Sequence, residues 1–281
     1  MRSTAKYLAL LSSAGLLCFA PVAAVGAEDT VPPVATAEDD DHGWSLGLAV
    51  INSDSTYIDY DERFPVLPMI EYTSENFTFF PLGISYRLFT TETKDPKSKP
   101  VKNAESDWAL TLHTRLNFGF GERDEDESEI FADMEEREYG STAGLSLEVG
   151  TPIGAFEFTA DTDITNASEG STATLSYGFP IYFTQKLAVL GSLGLEYQDR
   201  DYTDYYYGVR ETEVRADRLA YRADAATNSF LGYALFYQLS TKWSLIHSAR
   251  YLKLHDEIVD STLTTDEDNQ LEAILGVRYS F

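Results

Sequence analysis

The sequence predicts an all-β protein, an antiparallel transmembrane β-barrel of about 12 strands, with about 10 as the alternative count. Three observations lead to this prediction. The chain starts with an export signal, strand-like segments recur after it, and the connections between these segments alternate between short turns and long polar loops. Outer-membrane barrels show this alternation because their periplasmic turns are short and their external loops are long.

The first 27 residues have the organisation of a cleavable secretory signal. Arg2 and Lys6 precede an apolar run, and small residues follow it up to Ala27. We expect cleavage after Ala27, or alternatively after Ala24. A retained membrane anchor is the other interpretation, but the apolar run is short and is interrupted by serines. Export is therefore the first expectation.

The domain organisation follows from composition. Residues 28–43 are rich in proline and acidic side chains, which indicates a disordered periplasmic leader, and residues 44–281 form the barrel. The only cysteine, Cys18, lies in the signal, so no disulfide can stabilise the exported chain. The formal net charge of −25 makes nucleic acid an unsuitable partner, because phosphate binding needs a basic surface.

Apolar residues alternate with small or charged residues along each predicted strand. In the last strand, Leu271, Leu275 and Tyr279 share one face, whereas Glu272 and Arg278 lie on the other. A soluble sheet with one buried face would show the same pattern in a single strand. The repetition favours a barrel with lipid outside and polar groups inside. The segments are Trp44–Ile51, Val66–Thr73, Asn76–Phe89 (split near Pro81), Trp108–Phe118, Leu145–Val149, Phe156–Asp161, Thr174–Ile181, Leu187–Gln198, Leu231–Ser240, a strand from Trp243, and Leu271–Phe281.

The connections and the tryptophans set the orientation. Short turns are expected at Gly150–Gly154, Thr184–Lys186 and Ser240–Lys242, and long external loops at Gly121–Glu138, Asp201–Thr227 and Glu257–Asn269. Trp44, Trp108 and Trp243 then start outward-running strands, where a periplasmic aromatic girdle is expected. The terminal Phe281 on an alternating strand resembles the signal that the outer-membrane assembly machinery reads. Lipid and lipopolysaccharide are the expected surroundings.

Strand parity points a set of ionisable side chains into the barrel. These candidate lumen residues are Arg87, His113, Arg115, Glu148, Glu157, Asp161, Glu196, Arg250, Glu272 and Arg278. Both charge signs occur, so the residues can either line a narrow water path or pair and plug it. We favour the paired plug.

Catalysis is not expected. Among the histidines, only His113 points inward by parity, and no serine motif supplies a nucleophile beside it. We therefore interpret His113 as a lumen residue and expect no enzyme activity, no cofactor and no metal centre.

Three loop sets are further candidates. Asp124, Glu125, Asp126 and Glu127 lie in a densely acidic external loop, which can hold divalent cations or simply be solvated. Tyr202, Tyr205, Tyr206 and Tyr207 form an aromatic loop that is either a binding surface or a constriction folded into the barrel mouth. Lys94, Lys97, Lys99 and Lys102 form a basic periplasmic patch that suits an acidic partner.

Several segments resemble the MipA/OmpV family of outer-membrane proteins. They are Phe64–Tyr72 with Phe77–Phe80, Asp204–Val209, Ala220–Ala223, Leu239–Leu245, Arg250–Leu254 and Asp260-Ser261, in matching order over most of the mature chain. The sequence departs from the family at Thr262-Leu263, where a proline-containing continuation is usual.

The resemblance implies an outer-membrane barrel. Some family members are described as scaffolds that join a murein transglycosylase to a murein synthase, and others are linked to osmotic adaptation, adhesion or antibiotic susceptibility. The leading hypothesis is a non-enzymatic scaffold or envelope-maintenance protein of the cell outer membrane, bound to murein enzymes through the periplasmic side. The alternatives are a narrow channel for small solutes, or a surface protein for adhesion or cation binding.

Overall fold

The computed structural model describes residues 43–60, 66–91, 109–119, 122–123 and 128–281. The expected signal, nearly all of the expected leader, and Trp108 lie outside the described residues. The first strand begins at Gly43, one residue before the boundary expected from the sequence.

The described chain forms a closed barrel of 12 antiparallel strands, which confirms the predicted fold class. The strands are β1 (Gly43–Ser53), β2 (Val66–Thr73), β3 (Phe77–Phe80), β4 (Gly83–Thr90), β5 (Ala109–Asn117), β8 (Thr142–Thr151), β9 (Gly154–Asp163), β10 (Ser171–Phe183), β11 (Leu187–Gln198), β12 (Ala226–Gln238), β13 (Trp243–Lys253) and β14 (Asn269–Ser280). Each strand pairs with the next along the chain, and β1 pairs with β14 to close the sheet. The division of Asn76–Phe89 into β3 and β4 was also predicted correctly.

Large apolar side chains cover the outside of the barrel. Leu48, Leu231 and Leu275 are each at least half exposed in the isolated chain, at 54%, 60% and 50%. They lie on the face that strand alternation predicted to be apolar. Since such a surface is unfavourable in water, the outside is a lipid-contacting band.

An aromatic girdle lies at the end of the barrel where β1 begins and β14 ends. The Trp44 ring lies 5.1 Å from that of Tyr72, and the Trp243 ring lies 5.0 Å from that of Tyr279. Phe281 packs edge-on against Tyr279 at 5.0 Å. Amphipathic aromatic rings are stable at the boundary between lipid and water, so this end lies at a membrane interface. The short turns lie at the same end, as they do on the periplasmic side of outer-membrane barrels.

The interior is not uniformly polar, which differs from the small-or-charged inner face that the sequence indicated. A buried apolar cluster projects inward from one side of the wall and consists of Ala49, Ile51, Leu67, Met69, Leu82 and Ile274. Phe80 and Ile246 pack against it. Strand alternation predicts which residues point inward. It does not predict that apolar inward residues from separate strands pack into one cluster.

The long external loops fold into an ordered external cap, formed by residues 54–60, 122–123, 128–141, 199–225 and 254–268. It contains the hairpin β6 (Glu122–Arg123) and β7 (Arg137–Glu138), helix α1 (Arg200–Tyr207) and helix α2 (Asp256–Val259). Asp199 caps α1 by accepting a hydrogen bond from the N–H of Tyr202. The sequence predicted polar loops here, but the cap encloses a core of its own, made of Ile130, Phe131, Val209 and Leu263.

No helix in the described ranges is long and apolar enough to cross a membrane.

The lipid-facing band predicts the effect of a charge at mid-strand. Leu231 lies near the middle of β12 and points outward. We expect Leu231→Arg to lower the unfolding free energy in phospholipid vesicles by about 2 to 4 kcal/mol, because the guanidinium must enter hydrocarbon. Denaturant unfolding followed by tryptophan fluorescence would measure the change. Leu231→Ala is the control for lost volume, and an equal loss in both variants would contradict a lipid-facing position.

Candidate functional site

The barrel interior contains a charge network centred on Arg250. Its guanidinium forms an ion pair with Glu196 and lies 3.8 Å from the Glu272 carboxylate, measured from Nη1 to Oε2. The same guanidinium lies 4.0 Å from the centre of the Phe230 ring. All three charged side chains are almost fully buried. Because an isolated buried charge is costly, Arg250 and the two carboxylates depend on one another.

A second polar cluster lies on the wall formed by β5, β8 and β9. The Arg115 guanidinium is 3.6 Å from the Asp161 carboxylate. The side-chain amide of Asn117 donates a hydrogen bond to Asp161 at 3.1 Å, and Arg115 donates to Thr159 at 3.4 Å. These contacts fix a cation and an anion against the inner wall.

The remaining predicted lumen residues also occupy inward-facing positions on their strands. Arg278 lies 3.3 Å from Glu71, Ser146 donates to Glu157 at 2.6 Å, and His113 Nδ1 lies 3.4 Å from the Ser85 hydroxyl. Arg87 is opposite His113 in the register, and Glu148 is opposite Glu157. Charged and polar side chains therefore line the inner wall, and Arg278 and Glu71 form one ion pair there.

Several buried polar atoms of the interior have no hydrogen-bond partner among the described residues. They are Gln198 Oε1, Arg250 Nε and Nη1, Glu272 Oε2 and Arg278 Nε. Buried polar groups are normally hydrogen-bonded, so these atoms indicate a polar region that suits water or a small polar solute. Glu272 is the inward neighbour of Ile274 on β14, so this polar region borders the apolar cluster.

The external cap is organised around three arginines that are almost fully buried, Arg123, Arg137 and Arg218. Arg137 donates two hydrogen bonds to the Glu213 carboxylate, at 2.8 and 3.0 Å. Arg218 donates to backbone carbonyls, among them that of Ala132 at 3.0 Å. Each arginine thus connects two or more loops, because its fork of donors reaches several acceptors at once.

Arg123 connects the cap to the tyrosine helix. It donates to the backbone carbonyl of Tyr206 in α1, and its guanidinium carbon lies 4.6 Å from the centre of the Phe131 ring. The ring of Tyr57, from the first loop, also faces it at 5.4 Å. A cation held between two rings and a carbonyl is stabilised away from water.

The predicted tyrosine set lies on α1 and next to it in the cap. Tyr206 is 7% exposed, and its ring packs against those of Tyr202 and Tyr205 at 4.7 and 4.9 Å. Burial raises the pKa of the Tyr202 and Tyr207 hydroxyls well above the ordinary value, with further contributions from neighbouring tyrosines and from Glu196. These hydroxyls stay protonated, and the rings are part of the packed barrel mouth rather than a free aromatic surface.

Sequence reasoning did not single out Arg123, Arg137, Arg218 or Glu213 as a network. The first two lie in a loop dominated by acidic residues, where they read as solvated charges. Only the spatial convergence of separate loops shows their burial.

Two predicted sets fall outside the described residues, the acidic residues Asp124–Glu127 and the basic patch Lys94, Lys97, Lys99 and Lys102. Within the described ranges, no three His, Cys, Asp or Glu side chains are grouped so that they could hold a metal ion.

The Arg137–Glu213 ion pair predicts that the stability of the external cap depends on pH. Burial alone would raise the pKa of Glu213, but hydrogen bonds from the Arg210 N–H, the Arg137 guanidinium and the Glu135 N–H outweigh it and hold this pKa below the ordinary value. A depressed folded pKa stabilises the cap above the ordinary carboxyl pKa of about 4.3, and the contribution is lost as the pH falls through the lower folded value.

We expect Glu213→Gln to weaken the cap by about 3 kcal/mol at neutral pH, because Arg137 is left buried without its countercharge. Hydrogen exchange of residues 199–225 measures this local loss. Asp217→Asn is the control, since the Arg215–Asp217 pair is on the surface and should change exchange little. If wild type and Glu213→Gln differ as much at pH 3 as at pH 7, the carboxylate is not the stabilising group.

Comparison with known proteins identifies the family. The family model described as "MltA-interacting protein MipA" matches residues 46–281. Outer membrane protein OmpV of Vibrio cholerae is 26% identical over 238 residues, covering 85% of this chain and 86% of that protein. The MltA-interacting protein of Escherichia coli is 26% identical over 239 residues, covering 85% of this chain and 90% of that protein.

Among solved structures, the chain is similar to the porin NanC, with a TM-score of 0.42 and 9% identity over 84% of this chain and 100% of that chain. OmpV is named an outer membrane protein, and the fold of this chain is a closed barrel with a lipid-facing band. The chain therefore belongs to the MltA-interacting protein MipA family and lies in the outer membrane.

Proposed function

We propose that the protein is a non-enzymatic outer-membrane scaffold that holds a murein-remodelling enzyme at its periplasmic side. The observation that carries this proposal is the ordered packing of the external loops. Four loops pack around the core and buried arginines of the cap, and ion pairs lie along the interior wall below. A barrel built in this way is suited to anchoring a partner rather than to passing solutes freely.

The choice of partner is supported by the family. A relative that aligns over 90% of its length is named for its interaction with MltA. Some members of the family that the sequence resembles are described as scaffolds for a murein transglycosylase. We assign the contact to the periplasmic patch Lys94, Lys97, Lys99 and Lys102, together with the leader before Trp44. The patch is a local excess of positive charge in a chain of formal net charge −25, which suits an acidic surface.

A binding measurement tests the scaffold. The full chain in lipid nanodiscs should bind a purified MltA-type transglycosylase in biolayer interferometry, and Lys97→Gln with Lys99→Gln should weaken the affinity about tenfold. Arg210→Gln with Arg222→Gln is the matched control, because it removes two exposed charges from the external cap.

Absence of binding by the wild-type chain would rule out this scaffold function. Equal binding by wild type and the lysine variant would leave the scaffold in place and remove the lysines from the interface.

A narrow channel for small solutes is the second candidate. It is favoured by polar atoms of Gln198, Arg250 and Glu272 that have no hydrogen-bond partner among the described residues and that give part of the interior a polar lining. Adhesion and cation binding would depend on loop residues such as Asp124–Glu127, which are outside the described ranges.

Planar-bilayer recording separates the two candidates. The scaffold proposal predicts that the wild-type chain shows no steady conductance above the empty bilayer. A channel would instead conduct, and Glu272→Gln would lower its preference for cations because a lining carboxylate is removed. Ser244→Ala, a neutral change at another buried inner position, is the control.

A further inference from the structure

His247 is an ionisable side chain on the lipid-facing surface of the barrel. It lies on β13, and its register partners on the neighbouring strands are the outward residues Leu235 and Leu275. β13 starts at Trp243, which belongs to the aromatic girdle. With about 3.4 Å per residue and a strand tilt of about 40°, His247 lies about 10 Å inside an apolar band that is about 25 Å tall. Its ring is therefore surrounded by hydrocarbon rather than by water or lipid headgroups.

The polar atoms of this ring are not paired within the described part of the chain. The imidazole stacks on the ring of Tyr233, with 5.6 Å between the centroids and an interplanar angle of 24°. Among the described residues, neither the His247 ring nitrogens nor the Tyr233 hydroxyl has a hydrogen-bond partner. A polar group without a partner is unfavourable in hydrocarbon. Ionisable residues at such depth usually meet a partner that supplies the missing hydrogen bonds.

Lipid cannot supply these hydrogen bonds at the depth of His247. Acyl chains have neither donors nor acceptors, and the phosphates and sugars of the headgroups lie at the two surfaces of the bilayer. The partner must therefore be a protein that places a polar side chain at the same depth. A second copy of this chain does so by necessity, because its own His247 and Tyr233 occupy that depth.

We propose that two copies of this chain associate through the outer faces of β12, β13 and β14, and that His247 of each copy is hydrogen-bonded to Tyr233 of the partner subunit. Tyr233 is opposite Ala249, two residues beyond His247, and the strand tilt makes the diagonal from His247 to Tyr233 nearly level in the membrane. A two-fold axis along the membrane normal between the two rings then makes both contacts at once. The groups are complementary in charge, since the phenol hydrogen is partly positive and the imidazole lone pair is partly negative.

The surface beside this pair has the shape that such an axis requires. Tyr233, Ala249 and Ala273 are neighbours in the register across β12, β13 and β14. Ala249 lies next to the axis, where a small side chain lets the two walls approach closely. Tyr251 is 48% exposed and projects from one copy over Ala273 of the partner subunit. Small residues thus lie where the copies meet, and a large ring lies opposite a small one. This association does not depend on the scaffold function.

Disulfide crosslinking in intact outer membranes tests the interface. The only cysteine, Cys18, lies in the expected signal, so an introduced cysteine is the single thiol of the exported chain. We expect Ala249→Cys to form a disulfide-linked homodimer on oxidation with copper phenanthroline. Ala160→Cys is the matched control, because Ala160 also points outward but lies on β9, four strands away around the barrel. It should stay monomeric.

A second measurement tests the hydrogen-bonded pair. Energy transfer between labelled copies of the full-length chain in phospholipid vesicles gives the association constant as the protein-to-lipid ratio is lowered. We expect His247→Leu and Tyr233→Phe each to lower this constant about tenfold, because each variant removes both reciprocal hydrogen bonds. The combined variant should be no weaker than either single one. Tyr251→Phe is the control, since it removes a hydroxyl from the same face but not from the pair.

The outcomes separate the proposal from its alternatives. A homodimer at Ala249→Cys together with weakened association of the His247 and Tyr233 variants supports it. A wild-type chain that stays monomeric in vesicles, a disulfide to a different protein, or equal crosslinking at Ala160→Cys would overturn it. An association constant that is unchanged by both His247→Leu and Tyr233→Phe would do the same. The heat-dependent mobility shift of folded barrels in gel electrophoresis confirms that each variant is folded.

Discussion

The structure depends on one constraint, the hydrogen bonding of the backbone in hydrocarbon. An unpaired N–H or C=O in lipid is costly, so strands that cross a membrane must close into a barrel. Here β1 pairs with β14 over nine consecutive residue pairs and completes the ring. The lipid-facing leucines and the rim of Trp44, Tyr72, Trp243 and Tyr279 follow from the same requirement, because each strand must offer hydrocarbon an apolar face.

Closure leaves an interior that must be filled or hydrated, and the protein fills it in two ways. On two parts of the wall charged residues pair: Arg250 joins Glu196 and Glu272, and Arg115 joins Asp161. Elsewhere, beside Glu272, apolar residues pack together. The charged side is rigid only while all its members are present, since removal of one leaves its partner buried and uncompensated. The apolar cluster has no such dependence, because its members need no charged partner.

The external cap, outside the membrane, is also stabilised by buried charged side chains with compensating partners. Loops that look hydrophilic in composition become ordered because a few arginines replace water as donors to backbone carbonyls and to Glu213. Their burial is offset by many hydrogen bonds and by the faces of Tyr57 and Phe131. This arrangement packs the external loops into one ordered unit, which is the basis of the scaffold proposal.

The sequence by itself predicted the membrane barrel, the approximate strand positions and the direction of most strand side chains, because alternation with period two is a local property of the backbone. Register shifts in β4 and β10 interrupt this alternation. The sequence also indicated the family, which the match over residues 46–281 confirms. The inner or outer parity of Arg250, Glu272 and Asp161 could be read in the same way. Only the tertiary structure decided which charges pair, that Arg123, Arg137 and Arg218 are buried, and that β3 stops short of β2 beside Pro68. These features arise from contacts between residues distant in sequence, for which no periodic signal exists.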